Sequence, residues 1–324
     1  MKIKVSFLML LLFAFPLSVL AAEGEDERKE SPYDIISSSG EVIYAEDYLD
    51  VLNEINPEKL KEEFAPTEGN PELMHDPKSI DASIIKKSSG KSLEPSVGTK
   101  VVIGEDGRKK VTDVLKTPNK QIGFMLGSSG SSCTGTLIDS DKYLTNAHCI
   151  DGLGSPSQTT FYPGMLDSTY YWGAYVGEEY FKPRGWNGDD SRYDFAIVKV
   201  KPFKSGNDYI EAGDFAGTLG FKETSTGTTG TRIKIQGYPG DMINKTGKVS
   251  QYQMSGGILR DNSHQNFYKI DTYGGNSGSA QLNSVNQIVG VHNGSYNING
   301  ETFNGGPKMS KEFHSFVFTV LLEE

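Results

Sequence analysis

The stretch Asp271-Thr-Tyr-Gly-Gly-Asn-Ser-Gly-Ser-Ala280 decides how this chain is read. Ser277 stands between Asn276 and Gly278, with Gly274 and Gly275 just before it. Glycines admit positive φ and let the backbone approach a bound group closely. A serine nucleophile needs that freedom in its neighbours, whose N–H groups must point at an oxyanion as it develops. An ordinary Gly/Ser turn between strands has the same composition, so on its own the stretch leaves both readings open. The Gly-x-Ser-x-Gly pattern of a strand-to-helix elbow is absent, because residue 279 is Ser.

Two earlier stretches supply what a nucleophile requires. Leu144-Thr-Asn-Ala-His148-Cys149 ends a strand-like run in His, and Tyr193-Asp194-Phe-Ala-Ile-Val-Lys-Val200 opens one with Asp. An imidazole base, an orienting carboxylate and a hydroxyl are the parts of nucleophilic acyl transfer. A structural His148 and a capping Asp194 are the competing readings, and they leave the coexistence of three such blocks unexplained. Asp189 and Asp190 sit in a Gly-rich loop, a poorer setting for a buried orienting carboxylate.

The chain begins with Lys2 and Lys4, an apolar run from Val5 to Phe15, Pro16, and a small-residue end at Ala21-Ala22. That order describes a secretory signal peptide spanning 1–21. The alternative, a membrane anchor, meets Pro16 and then a strongly acidic stretch. No other segment approaches the ~18 consecutive apolar residues that a spanning helix requires. The expectation is a secreted, extracellular protein with no membrane association after signal cleavage.

Residues 1–100 hold 11 Lys+Arg and 19 Asp+Glu, so they carry most of the chain's net charge of −10. Residues 22–100 lack Cys and Trp and show weak periodicity. They read either as a disordered linker or as a removable pro-segment. The near-neutral remainder has no basic cluster, which argues against nucleic acid as a partner.

From residue 101 onward short strand-like runs alternate with Gly, Asn, Asp, Ser and Pro clusters: 121–126, 132–138, 143–148, 170–175, 195–200, 232–236, 267–272 and 288–292. Such spacing predicts an all-β domain, a sandwich or barrels. The clearest helix is the last, at about 310–322. Ser310 caps it, Glu312 lies in its first turn, and Phe313, Phe316, Val317, Val320 and Leu321 recur at helical spacing. In an exported chain the two cysteines, Cys133 and Cys149, form a disulfide more readily than free thiols or a metal site. A loop of that length is worth roughly 3 kcal/mol in the chain-entropy model. No spacing of Cys, His or carboxylates calls for a metal, and no phosphate loop or other cofactor motif is present.

Thr145-Asn-Ala-His148-Cys149, Asp194-Phe-Ala-Ile-Val and Gly274-Gly-Asn-Ser277-Gly-Ser resemble the three catalytic blocks of chymotrypsin-fold serine proteases, in the His–Asp–Ser order of that group. More closely, residues 101–324 are similar to the bacterial glutamyl endopeptidases (V8-like). Val101-Val-Ile-Gly-Glu-Asp-Gly-Arg108, Ile235-Gln-Gly-Tyr-Pro-Gly-Asp241 and Val289-Gly-Val-His292 add to the match. The resemblance implies two six-stranded antiparallel β-barrels, about 101–204 and 205–308, followed by the C-terminal α-helix. It implies a secreted endopeptidase made as a zymogen and cutting protein or peptide substrates after Glu, less so Asp. His148, Asp194 and Ser277 would form the triad, and the N–H groups of Gly275 and Ser277 the oxyanion hole.

The same resemblance assigns the substrate's acidic side chain to Thr272 and His292, and to the α-amino group of Val101 once another protease has cut after Lys100. Counting six residues back from Ser277 instead reaches Asp271, the position of the acid in trypsin-like pockets, and would suggest cleavage after basic residues. Trypsin-type zymogens also carry Asp just before the nucleophile, where this chain has Asn276, so that ion pair cannot form. The chain departs from the family at Ala280, where Pro is common, and in a long polar stretch from Asn293 to Pro307. Structural calcium is compatible with the resemblance, though no acidic loop here calls for it. His264 and His314 fall outside every motif and read as structural or surface residues. The rival readings are a same-fold protease of narrow or different specificity and an inactive binding module on the same scaffold.

Overall fold

The computed structural model describes residues 29–54, 62, 64–73, 76–85, 102–224 and 227–323. The signal-peptide reading, the cut after Lys100 and Val101 lie outside the described residues. The chain divides into Met1–Glu30 and Ser31–Glu324, and the architecture below is that of the second unit. Among the described residues no helix is long and apolar enough to cross a membrane.

The early elements are β1 (Ile35–Ser37), β2 (Val42–Ile43), α1 (Ala45–Glu54), β3 (Lys78–Ser79) and β4 (Lys109–Lys110). The first sheet is then built from β5 (Ile122–Gly127), β6 (Ser132–Leu137), β7 (Lys142–Thr145), helix α2 (Ala147–Leu153), β8 (Thr159–Pro163), β9 (Thr169–Tyr170), β10 (Tyr175–Pro183) and β11 (Ala196–Val200). The order β11-β7-β6-β5-β8-β10 closes on itself where β10 pairs with β11, giving a six-stranded barrel. Tyr143 is stacked on Phe161 at 4.1 Å, both rings fully buried.

A connection carrying the hairpin β12 (Phe203–Ser205) and β13 (Asp208–Ile210) and the short helix α3 (Ala212–Ala216) leads to the second sheet. That sheet uses β14 (Arg232–Gly237), helix α4 (Gly240–Thr246), β15 (Tyr252–Asp261), β16 (Gln265–Tyr268), β17 (Ala280–Leu282), β18 (Ile288–Val291), β19 (Gly294–Ile298) and β20 (Glu301–Pro307). It runs β18-β17-β14-β15-β16-β20-β19 and curls into a half-barrel, with β4 added to β15. The expected pair of barrels is therefore one closed barrel and one curled half-barrel, the chymotrypsin-like arrangement.

Three sequence expectations change. His148 does not end a strand: β7 stops at Thr145, and Asn146 turns the chain into α2. The run expected at 170–175 is broken, because Gly173 at φ +87° separates β9 from β10. The strand expected at 267–272 ends at Tyr268, releasing the chain toward Ser277. The polar 293–307 stretch is the β19–β20 hairpin, turned by Asn299 and Gly300, both at positive φ. Asn-Gly between alternating residues is a hairpin signal, one that the sequence reading passed over.

A disordered linker does not fit the described early residues, within 31–54 and 64–85. β1 pairs with the end of β10 and with β2. Asp34 is buried; it accepts from the Ala45 N–H at 2.9 Å and the Arg184 Nε–H at 3.0 Å. Further along, β3 pairs with β9, and Thr67 exchanges hydrogen bonds with Thr218.

The last helix, α5 (Lys311–Leu322), starts as predicted, with the Ser310 side chain accepting from the Phe313 N–H. Its apolar face packs inward, and Phe313 stacks on Phe195 at 3.8 Å while Phe316 meets the same ring edge-on. Phe195 follows Asp194, so this helix buttresses the strand end that carries the carboxylate. Replacing Phe313 by Ala removes a fully buried ring; a loss of about 3–5 kcal/mol is expected, measurable by denaturant unfolding. A loss under about 1 kcal/mol would show that the helix end is dispensable.

Candidate active site

Asp194 is buried at 1% exposure where a 3₁₀ turn ends and β11 begins. Both its carboxylate oxygens go to one residue: Oδ1 accepts from the His148 backbone N–H at 2.9 Å, and Oδ2 lies 2.7 Å from His148 Nδ1. This double contact fixes the ring's position and turns Nε2 away from Asp194, 3.8 Å from Cys149 Sγ. Cys149 is disulfide-bonded to Cys133, which ties the first turn of α2 to β6. Asp190, by contrast, caps its own turn and pairs with Arg192.

Asn146, which sequence reasoning missed, links the two halves. Its Nδ2 donates to the Asp194 carbonyl at 2.6 Å, and its Oδ1 accepts from the Gly278 N–H at 2.5 Å. The signal was present, since Asn146 lies inside the quoted block before His148, but nothing in a sequence says where its side chain points.

The loop bearing Ser277 is held from the first barrel as well. The Thr134 N–H donates to the Ser277 carbonyl at 2.8 Å, and Thr134 Oγ1 donates to the Gly275 carbonyl at 2.7 Å. Gly275 and Gly278 have φ of +96° and +86°, and a Cβ on either would collide with the carbonyl oxygen of Tyr238 or Thr134. Only glycine tolerates both demands. The Gly275 and Ser277 N–H groups have no acceptor among the described residues. Asn276 is buried, and its Oδ1 has no partner there either.

Beside this loop, Thr272 and His292 are both buried. The His292 carbonyl accepts from the Gly278 N–H at 3.0 Å, which joins its strand end to the serine loop. His292 Nδ1 and the Tyr268 hydroxyl share a 3.0 Å hydrogen bond. Burial pushes the His292 imidazole down to about 3; the Gly305 backbone opposes the shift and His148 reinforces it. His292 is therefore neutral near pH 7, able to donate one N–H but carrying no charge.

Asp271 is buried, and both its oxygens are taken by backbone donors: Oδ1 by Ile103 N–H and Oδ2 by Gly107 N–H, each at 2.8 Å. A carboxylate so engaged is not presented to a substrate cation. His264 lies 3.4 Å from the Tyr33 hydroxyl, and His314 packs on Phe221 and Phe318; neither belongs to this cluster.

Residues 114–317 match the trypsin family. A glutamyl endopeptidase of Bacillus licheniformis is 33% identical over 239 residues, covering 70% of each chain. This chain belongs to the glutamyl endopeptidase group of trypsin-family serine proteases. It is a serine endopeptidase, with the chymotrypsin-like fold. A Staphylococcus aureus glutamyl endopeptidase is 25% identical over 260 residues, covering 77% of this chain and 71% of that one. A solved Glu endopeptidase in complex with MPD is 42% identical, covers 69% of this chain and all of its own, and superposes with a TM-score of 0.61.

Two expectations follow for this endopeptidase. Asn146→Ala severs the link between the Asp194 carbonyl and Gly278, and kcat should fall by about tenfold or more with KM little changed, as for a lost buried hydrogen bond. Steady-state kinetics on one peptide checks this. Because the His292 pKa is depressed in the folded state, the unfolded chain takes up that proton first. The stability held by the neutral ring is complete above about pH 6.5 and is lost as pH falls toward 3. Thermal midpoints of the Ser277→Ala chain should decline on acidification from about pH 6.5, and His292→Asn should flatten that slope. Equal slopes would contradict the assignment.

Proposed function

We propose that this chain is a secreted serine endopeptidase, made as a zymogen, that hydrolyses peptide bonds on the carboxyl side of Glu and less readily Asp. The observation that carries the reading is the buried Asp194–His148 pair joined through Asn146 to a glycine-shaped serine loop with two N–H groups that have no acceptor among the described residues. Ser277 Oγ attacks the scissile carbonyl. His148 takes its proton at Nε2 and later passes it to the leaving amine, while Asp194 orients the ring and stabilises the imidazolium. The Gly275 and Ser277 N–H groups receive the oxyanion, each donor worth about 3–4 kcal/mol.

The Glu preference is supported by the relatives named glutamyl endopeptidases and by the donors beside the serine loop. Thr272 offers a hydroxyl and His292 a neutral ring N–H to a carboxylate. Neither carries a positive charge, so the cation in the pocket is assigned to the α-amino group of Val101, freed when another protease cuts after Lys100. A hydrogen bond between charged groups is about twice as strong as a neutral one, which is what separates Glu from Gln. The basic-residue alternative is disfavoured, because both Asp271 oxygens are already occupied. The secretion signal is the basic, apolar and small-residue sequence of residues 1–21.

The deciding experiment compares kcat/KM of the form starting at Val101 on matched peptides with Glu, Asp, Gln or Lys before the scissile bond, alongside Ser277→Ala. Strong Glu preference, absent in the alanine variant, is expected. Ser277-dependent cleavage after Lys would overturn the pocket; no cleavage, together with no fluorophosphonate labelling of Ser277, would overturn the protease mechanism. Masking only the N-terminal amine should weaken cleavage after Glu and leave cleavage after Gln unchanged.

A further inference from the structure

We propose that Gln265 and Tyr296 are positioning residues: together they clamp the turn that delivers Asp194, in the first barrel, to the second sheet, whose strands carry the serine loop. The proposal rests on the triad reading above. Asp194 follows directly on the 3₁₀ turn Ser191–Tyr193. Ser277 lies between β16 and β17. The carboxylate and the nucleophile thus belong to different sheets, and a small misplacement of one against the other lowers the rate of attack steeply.

Gln265 opens β16 and is buried. Its side-chain NH₂ donates to Ser191 Oγ at 3.0 Å and to the Tyr296 hydroxyl at 2.9 Å. The Tyr296 hydroxyl, on β19, donates in turn to Asn293 Oδ1 at 2.7 Å, and Asn293 Nδ2 donates to the Ser191 carbonyl at 3.3 Å. The donors run in one sense from Gln265, and both branches end on Ser191. In such a chain each hydrogen bond polarises the next and strengthens it. Burial pushes the Tyr296 phenol up and the Asp194 charge adds to the rise, so the hydroxyl keeps its proton near pH 7 and remains a donor. Its ring meets Phe267 edge-on at 5.0 Å. Gly305 leaves room for it, since a Cβ there would sit 3.1 Å from the ring and 2.6 Å from the Asn266 carbonyl oxygen.

Within the turn the bonds are local. Asp190 Oδ1 accepts from the Arg192 N–H, and the Tyr193 N–H donates to the Asp190 carbonyl. These set the turn's shape but not its place against the second sheet. Asn146 ties the end of the turn to the serine loop through the Asp194 carbonyl. The Gln265–Tyr296 clamp ties its start to β16 and β19. Thr272 and His292, the groups assigned to the substrate's acidic side chain, follow β16 and β18 in the second sheet. His292 is held separately, by backbone bonds with Gly278 and Ser279. Loosening the clamp therefore moves Asp194, and His148 with it, relative to Ser277 while the substrate-binding groups stay in place. The clamp acts on kcat rather than on KM.

The test uses the full chain processed to its active form, as wild type, Tyr296→Phe, Gln265→Met, Ser191→Ala and Ser191→Thr. Phe keeps the ring and removes the hydroxyl; Met keeps the length of Gln265 and removes both donors. Each form is titrated with a fluorophosphonate and assayed on one Glu peptide, normalising to labelled sites. In Tyr296→Phe and Gln265→Met kcat is expected to fall about tenfold, the size of a lost buried hydrogen bond, with KM little changed. Ser191→Ala should show the same fall, and Ser191→Thr, which keeps the hydroxyl, should rescue it. A wild-type kcat in Tyr296→Phe and Gln265→Met overturns the clamp alone, whatever happens to the thermal midpoint. A fall carried by KM, or a Ser191→Thr form as slow as Ser191→Ala, overturns it equally. A wild type that cleaves but is not labelled at Ser277 overturns the triad reading beneath it. Should Gln265→Met fail to fold, Tyr296→Phe and the Ser191 pair decide by the same split.

Discussion

The burial of one carboxylate organises the site. An unpaired charge at the depth of Asp194 would cost several kcal/mol, so its position requires donors delivered with little freedom. His148 supplies two of them, one from the backbone and one from the ring. Meeting that demand dictates much nearby. The chain must leave β7 and start a helix at Ala147 so that both N–H groups of residue 148 face the same carboxylate. The disulfide keeps that first turn on β6, and Phe195, clamped by Phe313 and Phe316, keeps Asp194 from withdrawing. The Asp194–His148 pair and the C-terminal helix are in this sense parts of one support.

The second sheet uses its carboxylates differently. Asp271 and Asp241 are each spent on the segment 103–108, one on backbone N–H groups and one on Arg108. That leaves the groups assigned to the substrate, Thr272 and His292, neutral. His292 owes its neutrality to burial, and its orientation to Tyr268. Neutral donors discriminate poorly between Glu and Gln, which is the reason the proposed function assigns the charge to a chain terminus rather than to a side chain.

The described early residues engage the first barrel: β1 pairs with β10, and Tyr33 packs edge-on against Tyr193. β1 extends the sheet at the end of β10, where β8 has already ended, and so covers backbone groups that an edge strand would leave open. Asp34, buried between Arg184 and the start of α1, is a polar contact that a disordered segment would not form. Composition hid this: low hydrophobicity and acidic charge are averages, whereas docking depends on a few residues, among them Ile35, Ala45 and Tyr48, which are buried.

The sequence by itself determined the strand-rich class, the final helix with its Ser310 cap, the cysteine pair and the three blocks holding His148, Asp194 and Ser277. These depend on periodicity, turn residues and local chemistry, which act over a few residues and survive in a one-dimensional string. It did not reveal Asn146 as the bridge between Asp194 and Gly278, nor the β19–β20 hairpin beside the pocket. It also could not tell whether Asp271 faces substrate or chain, since the same residue at the same spacing serves either purpose. Only the tertiary structure decided that, because a carboxylate's role is set by which donors reach it in space. Here those donors come from Ile103 and Gly107, more than 160 positions away in sequence.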